Sequence, residues 1–502
     1  MVMREQEDKE SSNIKIGLEI HCQLTGLQSK LFCSCFCNYR EQEPNKNICP
    51  ICSGLPGTLP LLNKAAVDSA SMVSLALGCR IPNSIMFYRK NYFYPDLPKN
   101  FQLTQYNAYG VTSIGVDGRL KYGKKSSGIR RIQLEEDPGR LVYGSDGVNS
   151  SSSYILIDYN RAGTSLVEVV TEPDFIDPRD VRIFLNKITS IIEHLGICNT
   201  KLEGSVRCDA NISIGGGKRV EIKNVSSFKE VEKALNYEIA RQKTMSMHDI
   251  RIQAETRHWD DSRKVTIQSR VKEEEQDYRY FPEPDIPTIL LGEEYVSSIN
   301  VKMPELPDKR KDRLIMSYEL SEHIAQVLID NKDLADFFES AVKIYFSPKE
   351  IANWIVTELI RFTDEDSLIE SKIDSAFISP QPSSLFAGLK IEAKHIAELA
   401  KLVDSNSINR NIAKMIFTQI IKTGEMPSQV LAKTNVLKIE DRNIISEAVD
   451  SVFRVEKSAI RDAKNNPNVA NFLLGKVMKL TKGRADPKIT LSVINRKLGG
   501  ID

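Results

Sequence analysis

The chain has 502 residues, 41% hydrophobic and 27% charged, with a net charge of +1. That is the composition of a globular protein of two or three domains. No apolar run approaches the roughly 20 residues a membrane helix needs. The polar, acidic start MVMREQEDKESS is neither a secretory signal nor a transit peptide, which predicts a cytoplasmic protein. Its nine cysteines are then expected to stay reduced rather than form a disulfide framework.

Residues 1–13 read as disordered, and a first strand follows at Ile16–Gln23. There Ile16, Leu18, Ile20 and Cys22 alternate with Glu19, His21 and Gln23. The segment 31–54 concentrates cysteine: Cys33-x-Cys35, thirteen residues, then Cys49-x-x-Cys52. In a reducing compartment this is the spacing of a structural zinc loop. Cys-x-Cys is less typical than a doubled Cys-x-x-Cys, so unligated cysteines are the competing reading, and Cys37 is an alternative to Cys35. Asn63–Gly78 is a helix closed by glycine. Tyr88–Gln105 interleaves five aromatics with Arg89, Lys90 and Lys99. That pattern suits either stacking on unpaired nucleotides or simple core packing.

Arg130–Arg140 (RRIQLEEDPGR) sets Glu135, Glu136 and Asp137 before a Pro-Gly turn. Adjacent carboxylates of this kind are either solvated or bound to a cation. Leu156–Pro173 is expected to be strand, tight turn at Asn160–Gly163, strand, with Glu168 between Val167 and Val169. Pro178–Leu195 is a helix capped by Asp177. Ser205–Ile214, SVRCDANISI, alternates strictly over ten residues, the mark of a half-buried strand. Arg207, Asp209 and Asn211 therefore stand in a row at about 7 Å spacing. Val220–Lys223 adds Glu221 and Lys223 on one face. Gly215–Gly217 is a hairpin turn rather than a phosphate loop, because no helix follows it. Four distant strands thus each carry Glu, His, Arg, Asp or Asn on one face. Either this is an ordinary wet surface or it is the chemical face of an antiparallel sheet, and repetition favours the second.

From about Leu306 the period changes to helical. Pro307–Ala325, Leu334–Ile344 and Pro348–Phe362 are expected helices, and SPQPSS at Ser379–Ser384 is the expected linker. Beyond it lie helices at Ile391–Val403, Asn409–Ile421, Asp441–Arg461 and Val469–Leu480. From Gln381 onward there are 20 Lys/Arg against 12 Asp/Glu, a balance of +8, so the rest carries −7. A basic tail with Lys476, Lys479, Lys482 and Arg484 suits nucleic-acid phosphates. The fold class is α+β: an antiparallel-sheet domain over 14–300, a helical domain over 301–378 and an all-α tail over 385–502.

The motifs IGLEIH, FCSC with CPICSGLPG, RKNYFYPDLPKNFQ, LEEDPGR, DYNRAGTSLVEVVTEPD, EGSVRCDANIS, EIKNVSSF, DYRYFPEPDIP and MKLTKGRADP together resemble the B-subunit (GatB) family of tRNA-dependent amidotransferases. The likeness covers nearly the whole chain. One departure is Ser165, where the family usually has Pro. The resemblance implies a cradle-like sheet domain, a helical domain and a tail that reads tRNA. It implies an ATP- and Mg²⁺-dependent ligase subunit in a heterotrimer with a glutaminase A subunit and a small C subunit. The family phosphorylates the side-chain carboxyl of Glu-tRNA(Gln) or Asp-tRNA(Asn). Ammonia from the A subunit then displaces phosphate, giving Gln-tRNA(Gln) or Asn-tRNA(Asn).

By that match, Glu136, Glu168, Arg207 and Asp209 are the expected catalytic residues. Glu19, His21, Glu136 and Glu221 are expected to hold Mg²⁺, although His is an unusual magnesium ligand. Arg207, Asn211 and Lys223 are expected at ATP phosphates, and Cys33, Cys35, Cys49 and Cys52 at structural zinc. Tyr92, Tyr94 and Lys99, with the four tail cations, are expected to touch tRNA. Two other classes compete: a non-catalytic tRNA-binding scaffold of the same complex, and a metallohydrolase. A single histidine in the cluster is thin for the latter. No P-loop, Rossmann or kinase signature is present, so ATP use is legible only through the resemblance.

Overall fold

The computed structural model describes residues 14–40, 42–107, 110–145, 153–271, 278–362, 386, 389–434, 441–462, 469–481 and 485–499. The expected disorder at 1–13, the linker at 379–384, Lys482 and Arg484 lie outside them. The chain divides into two compact units, the first running to Arg310 and the second beginning at Lys311.

The first unit is built on a sheet of eight strands. In chain order these are β1 (Ile14–Gln23), β2 (Gly115–Tyr122), β3 (Lys125–Glu136), β4 (Ser165–Thr171), β5 (Val206–Ile214), β6 (Val220–Lys223), β7 (Glu255–Asp260) and β8 (Val265–Val271). Their order across the sheet is β8-β7-β6-β5-β1-β4-β3-β2. Alternation decides which face is which. Ile16, Ile20, Ala210, Ile212, Ile132, Leu134, Val167 and Val169 all enter one core. Three helices pack with that core: α1 (Lys64–Ala76), α2 (Pro178–His194) and α3 (Phe228–Met247). Asp177 caps α2 by accepting from the Arg179 N–H, and Pro178 takes the first helical position, where its missing N–H costs nothing. The opposite face of β1, β3, β4, β5 and β6 keeps the polar residues.

Two details depart from the expectation. β6 and β7 pair in parallel, and a parallel pair needs a long crossover, which α3 supplies. The segment Leu156–Pro173 is not one hairpin. Its first half, Ser153–Asp158, pairs with Arg140–Ser145 in a separate two-stranded sheet, while β4 enters the main sheet between β1 and β3. The cause is the turn itself. Arg161 donates to the carbonyls of Pro138 and Gly139, and Gly163 adopts φ +83°, a conformation open mainly to glycine. The turn is thereby fastened to the Asp-Pro-Gly turn instead of folding back on its own strand.

The second unit is helical. The expected helix Pro307–Ala325 is two, Pro307–Tyr318 and Glu322–Ile329, broken where Glu319 takes φ +52° and Ser321 caps the second. Asp441–Arg461 likewise divides at Glu456. The expected domain boundary near 379–384 does not separate two cores. Leu328, Phe338, Trp354 and Ile355 share one apolar cluster with Ile396, Ile412, Ile416 and Phe417, and Trp354 stacks on Phe417 at 5.7 Å. A further cluster of Ile445, Val449, Leu473, Val477 and Ile494 holds the last helices together.

Candidate active site and cysteine centre

Register turns sequence spacing into a site. Opposed residues on antiparallel strands point to the same face. His21 on β1 faces Arg207 on β5 and Glu168 on β4, and Glu168 in turn faces Gln133 on β3. One row along, Glu19 faces Asp209. In the next, Asn211 faces Glu221 on β6. All of these residues but Asn211 line a cavity of about 890 Å³, within whose wall stand Glu19, His21, Glu135, Glu168, Arg207, Asp209, Glu221 and Lys223. The volume lies in the roughly 300–1,000 Å³ range of small-molecule sites.

Two donor sets occur on this face. In the first, His21 Nε2 lies 3.4 Å from Glu135 and 3.9 Å from Glu168. Burial, with the Glu168 charge adding to it, raises the Glu135 carboxyl to about 6. In the second, Glu19, Asp209 and Glu221 offer oxygens within 4.8 Å of one another. Lys223 donates to Asp209 at 3.0 Å and lies 3.4 Å from Glu221. Burial disfavours the Lys223 charge, but Asp209 and Glu221 outweigh it and the pKa rises. Thr256 donates to Glu221 and Asn211 to Glu19. An all-oxygen set suits a hard cation such as Mg²⁺, so the residues of the second set fit that ion.

The structure separates residues that the sequence reading had grouped. Glu136 is not on the cavity face. It points the other way, where its carboxylate accepts from Lys99 Nζ at 2.7 Å and from the Leu103 N–H at 2.8 Å. Glu135 takes its place. The signal was present in the phase of β3: Ile132 and Leu134 face the core, so Arg131, Gln133 and Glu135 must face away from it. Asn211 is bound to Glu19 and is not part of the cavity wall. Arg207 is tied to Asp137 at 3.0 Å. Three cavity cations, Lys90, Arg131 and Arg219, have no carboxylate partner among the described residues; of these the sequence had singled out only Lys90, as a base among aromatics. Lys90 rests on the rings of Tyr92 and Tyr278 at 5.4 and 4.7 Å. Arg131 shared its phase with Glu135 and was findable. Arg219 was not, because only the fold brings its segment to the cavity.

Lys99 and Tyr92 are poorly placed for RNA. Lys99 is bound to Glu136, and Tyr92 is packed edge-on against Tyr278 at 5.9 Å. Tyr94 is 52% exposed. In the tail Lys476 pairs with Glu456 at 2.7 Å, while Lys479 is exposed. Ser165 is fully buried and its hydroxyl has no partner among the described residues, which accords with a slot shaped for an apolar ring.

The four expected cysteines do converge. Cys33, Cys35, Cys49 and Cys52 place their sulfurs within 4.8 Å of one another. A hydrogen bond from Cys33 brings the Cys52 thiol down to about 4, with Lys30 nearby assisting. Burial lifts Cys35 to about 11. Lys30 is fully buried, 3.8 Å from Cys52, and donates to the Asn47 carbonyl. Four convergent thiols match a tetrahedral zinc site in number and kind. The loop they shape packs on the turns that carry the site. Leu31 N–H donates to the Gly163 carbonyl, and Gly163 N–H to that of Asp137.

Residues 14–297 match the GatB/GatE catalytic domain, and residues 336–498 match the GatB domain. The chain is 45% identical over 487 residues to the aspartyl/glutamyl-tRNA(Asn/Gln) amidotransferase B subunit of Sulfurisphaera tokodaii, covering 97% of this chain and 99% of that one. It is 43% identical over 486 residues to the protein of the same name from Saccharolobus solfataricus, with 97% and 99% covered. With that of Thermotoga maritima it shares 42% over 496 residues, with 97% and 98% covered. The chain belongs to the GatB family, the B subunits of tRNA-dependent amidotransferases.

Proposed function

We propose that this chain activates the side-chain carboxyl of Glu-tRNA(Gln), Asp-tRNA(Asn) or both with ATP, and completes the amide with ammonia supplied by a glutaminase subunit. The observation that supports the reading is the convergence of two acid-rich donor sets and several cations on one concave sheet face. A carboxylate is a poor acyl donor, so one of its oxygens must first take the γ-phosphoryl group of ATP, with the P–O bond to ADP breaking. The ammonia nitrogen then attacks the acyl carbon, phosphate leaves, and a proton is lost.

In such a transfer the protein supplies position and charge. Lys90, Arg131 and Arg219 are suited to phosphate oxygens, as is the outer edge of Arg207. Lys223, already neutralised by Asp209 and Glu221, is suited to holding those acids in place. Glu19, Asp209 and Glu221 would hold Mg²⁺, which when bound neutralises charge on the transferred phosphoryl group. His21, Glu135 and Glu168 would orient the acceptor carboxyl or a water. The cysteine loop would hold zinc and brace the turn beside Glu135. The basic C-terminal part of the chain, from Gln381 onward and Lys479 included, would meet tRNA phosphates. The partners are the A and C subunits of a heterotrimer.

The test is reconstitution of the heterotrimer with each misacylated tRNA, following ATP hydrolysis and amidation separately. Glu135→Gln is expected to lower both, amidation by about a hundred- to a thousandfold. A scaffold subunit would keep ATP turnover and lose only tRNA binding. Cys52→Ser, assayed by metal analysis, is expected to reduce zinc from one per chain to none.

A further inference from the structure

Asp137 is the most enclosed acid beside the cavity, its side chain 0% exposed, whereas that of Arg207 is 41% exposed. Asp137 Oδ1 accepts from Arg207 Nη2 at 3.0 Å. Its Oδ2 accepts from Gln23 Nε2 at 2.6 Å, with Arg161 Nε at 3.8 Å. The Gln23 side chain is fixed in turn: its Oε1 accepts from Arg40 Nη2 at 2.6 Å. Only one orientation of that amide satisfies both neighbours, oxygen toward the guanidinium and nitrogen toward the carboxylate. Arg40 also donates to the Glu203 carbonyl at 3.0 Å and lies over the Tyr39 ring. The chain of charge-assisted bonds therefore runs from the cysteine loop, under the end of β1, to the cavity wall.

We infer that Arg40, which does not line the cavity, is a positioning residue for Arg207, acting through Gln23 and Asp137. Charge-assisted bonds are the strong ones, and a buried network of this kind rigidifies what it ends on. One N–H of Arg207 is used inward on Asp137, leaving the rest of its fork to a ligand. Without Arg40 the Gln23 Oε1 keeps only the Tyr39 hydroxyl, at 3.5 Å, so the donor to Asp137 is held less firmly and the aim of Arg207 loosens. The inference rests on the reading of Arg207 as a phosphate-facing cation, and the test separates the two.

In the reconstituted heterotrimer, Arg40→Ala is expected to raise KM for ATP about fivefold, with kcat within twofold and KM for the acyl-tRNA unchanged. Arg40→Lys, which keeps the charge but loses the fork, is expected to fall between. The deciding comparison uses Arg207→Lys, which is itself expected to raise KM for ATP. In that background Arg40→Ala should add less than a twofold change, because its route to the ligand has been cut. An equal effect of Arg40→Ala in both backgrounds would mean general loosening and overturns the inference, as would an Arg40→Ala protein with wild-type KM. If Arg207→Lys leaves KM for ATP untouched, the reading of Arg207 falls and this inference falls with it. If Arg207→Lys matters and Arg40→Ala does not, the inference alone is lost.

Discussion

The two units bury different kinds of side chain. Up to Arg310 the buried set includes Lys30, Glu135, Glu136, Asp137, Glu221 and Glu238. From Lys311 onward, among the described residues, the one charged or histidine side chain that is buried is His395. Taking an ion out of water costs several kcal/mol even after relaxation, so a protein that does it repeatedly in one region has a reason there. In the first unit such ions are matched: Glu136 to Lys99, Asp137 to Arg207, Glu238 to Arg241. Buried, matched ions of this kind occur at functional sites and in structural networks alike. Among the described residues, the second unit keeps its charges outside and its interior apolar.

That contrast is open to breakage from either side. The second unit has only packing to lose. Phe417→Ala, in the cluster with Trp354, should cost about 3–5 kcal/mol. A thermal or denaturant scan should show the loss as a destabilised transition, with ATP hydrolysis per folded molecule unchanged. An equal fall in ATP turnover at full folding would show that the apolar unit shapes the cavity chemistry, and the division would not hold.

In the first unit the sharper comparison lies between neighbours on one strand. Glu135→Gln removes a cavity carboxylate and should lower ATP-dependent amidation about a hundred- to a thousandfold, the range seen when one preorganised electrostatic group is removed. The fold should survive, because a neutral amide is easier to bury. Glu136→Gln leaves Lys99 without its carboxylate in a buried setting and should cost stability first. Rates per folded molecule and melting temperatures, taken on both variants, check the pair. If Glu136→Gln abolished turnover in a protein that melts normally, the assignment of faces on β3 would be wrong.

The phase of an alternating strand made much of this legible. SVRCDANISI and IGLEIHCQ each declared two faces, and the register of β1 with β5 then followed from which face had to be buried. The run LEED hid its answer because three acids in succession mask the period, although Ile132 and Leu134 carry it. The pairing of Ser153–Asp158 with Arg140–Ser145 was not legible. It depends on Arg161 fastening one turn to another, a contact between segments more than twenty residues apart. The shared core of the helical unit was hidden for a related reason. A Pro/Ser-rich stretch reads as a boundary whether the helices on its two sides pack together or not. Arg207 stands in the cavity wall, but nothing in its strand announces Asp137 as its anchor.

The smallest expected effect tests the outer face of the second unit. Lys479 is exposed on the helix Val469–Leu480, whereas Lys476 on the same helix is held by Glu456. A free cation that meets one phosphate contributes about one unit to the slope of log affinity against log salt. Lys479→Ala should therefore weaken tRNA binding a fewfold near physiological salt and flatten that slope by about one. Lys476→Ala should do less, because its ammonium is already neutralised and would have to leave Glu456 first. Filter binding of one tRNA across a salt series measures both slopes. Equal slopes for Lys479→Ala and wild type would remove this helix from the tRNA contact. A larger change for Lys476→Ala would mean that its ion pair with Glu456 opens on binding, so that part of the surface is remade by its ligand rather than offered ready-made.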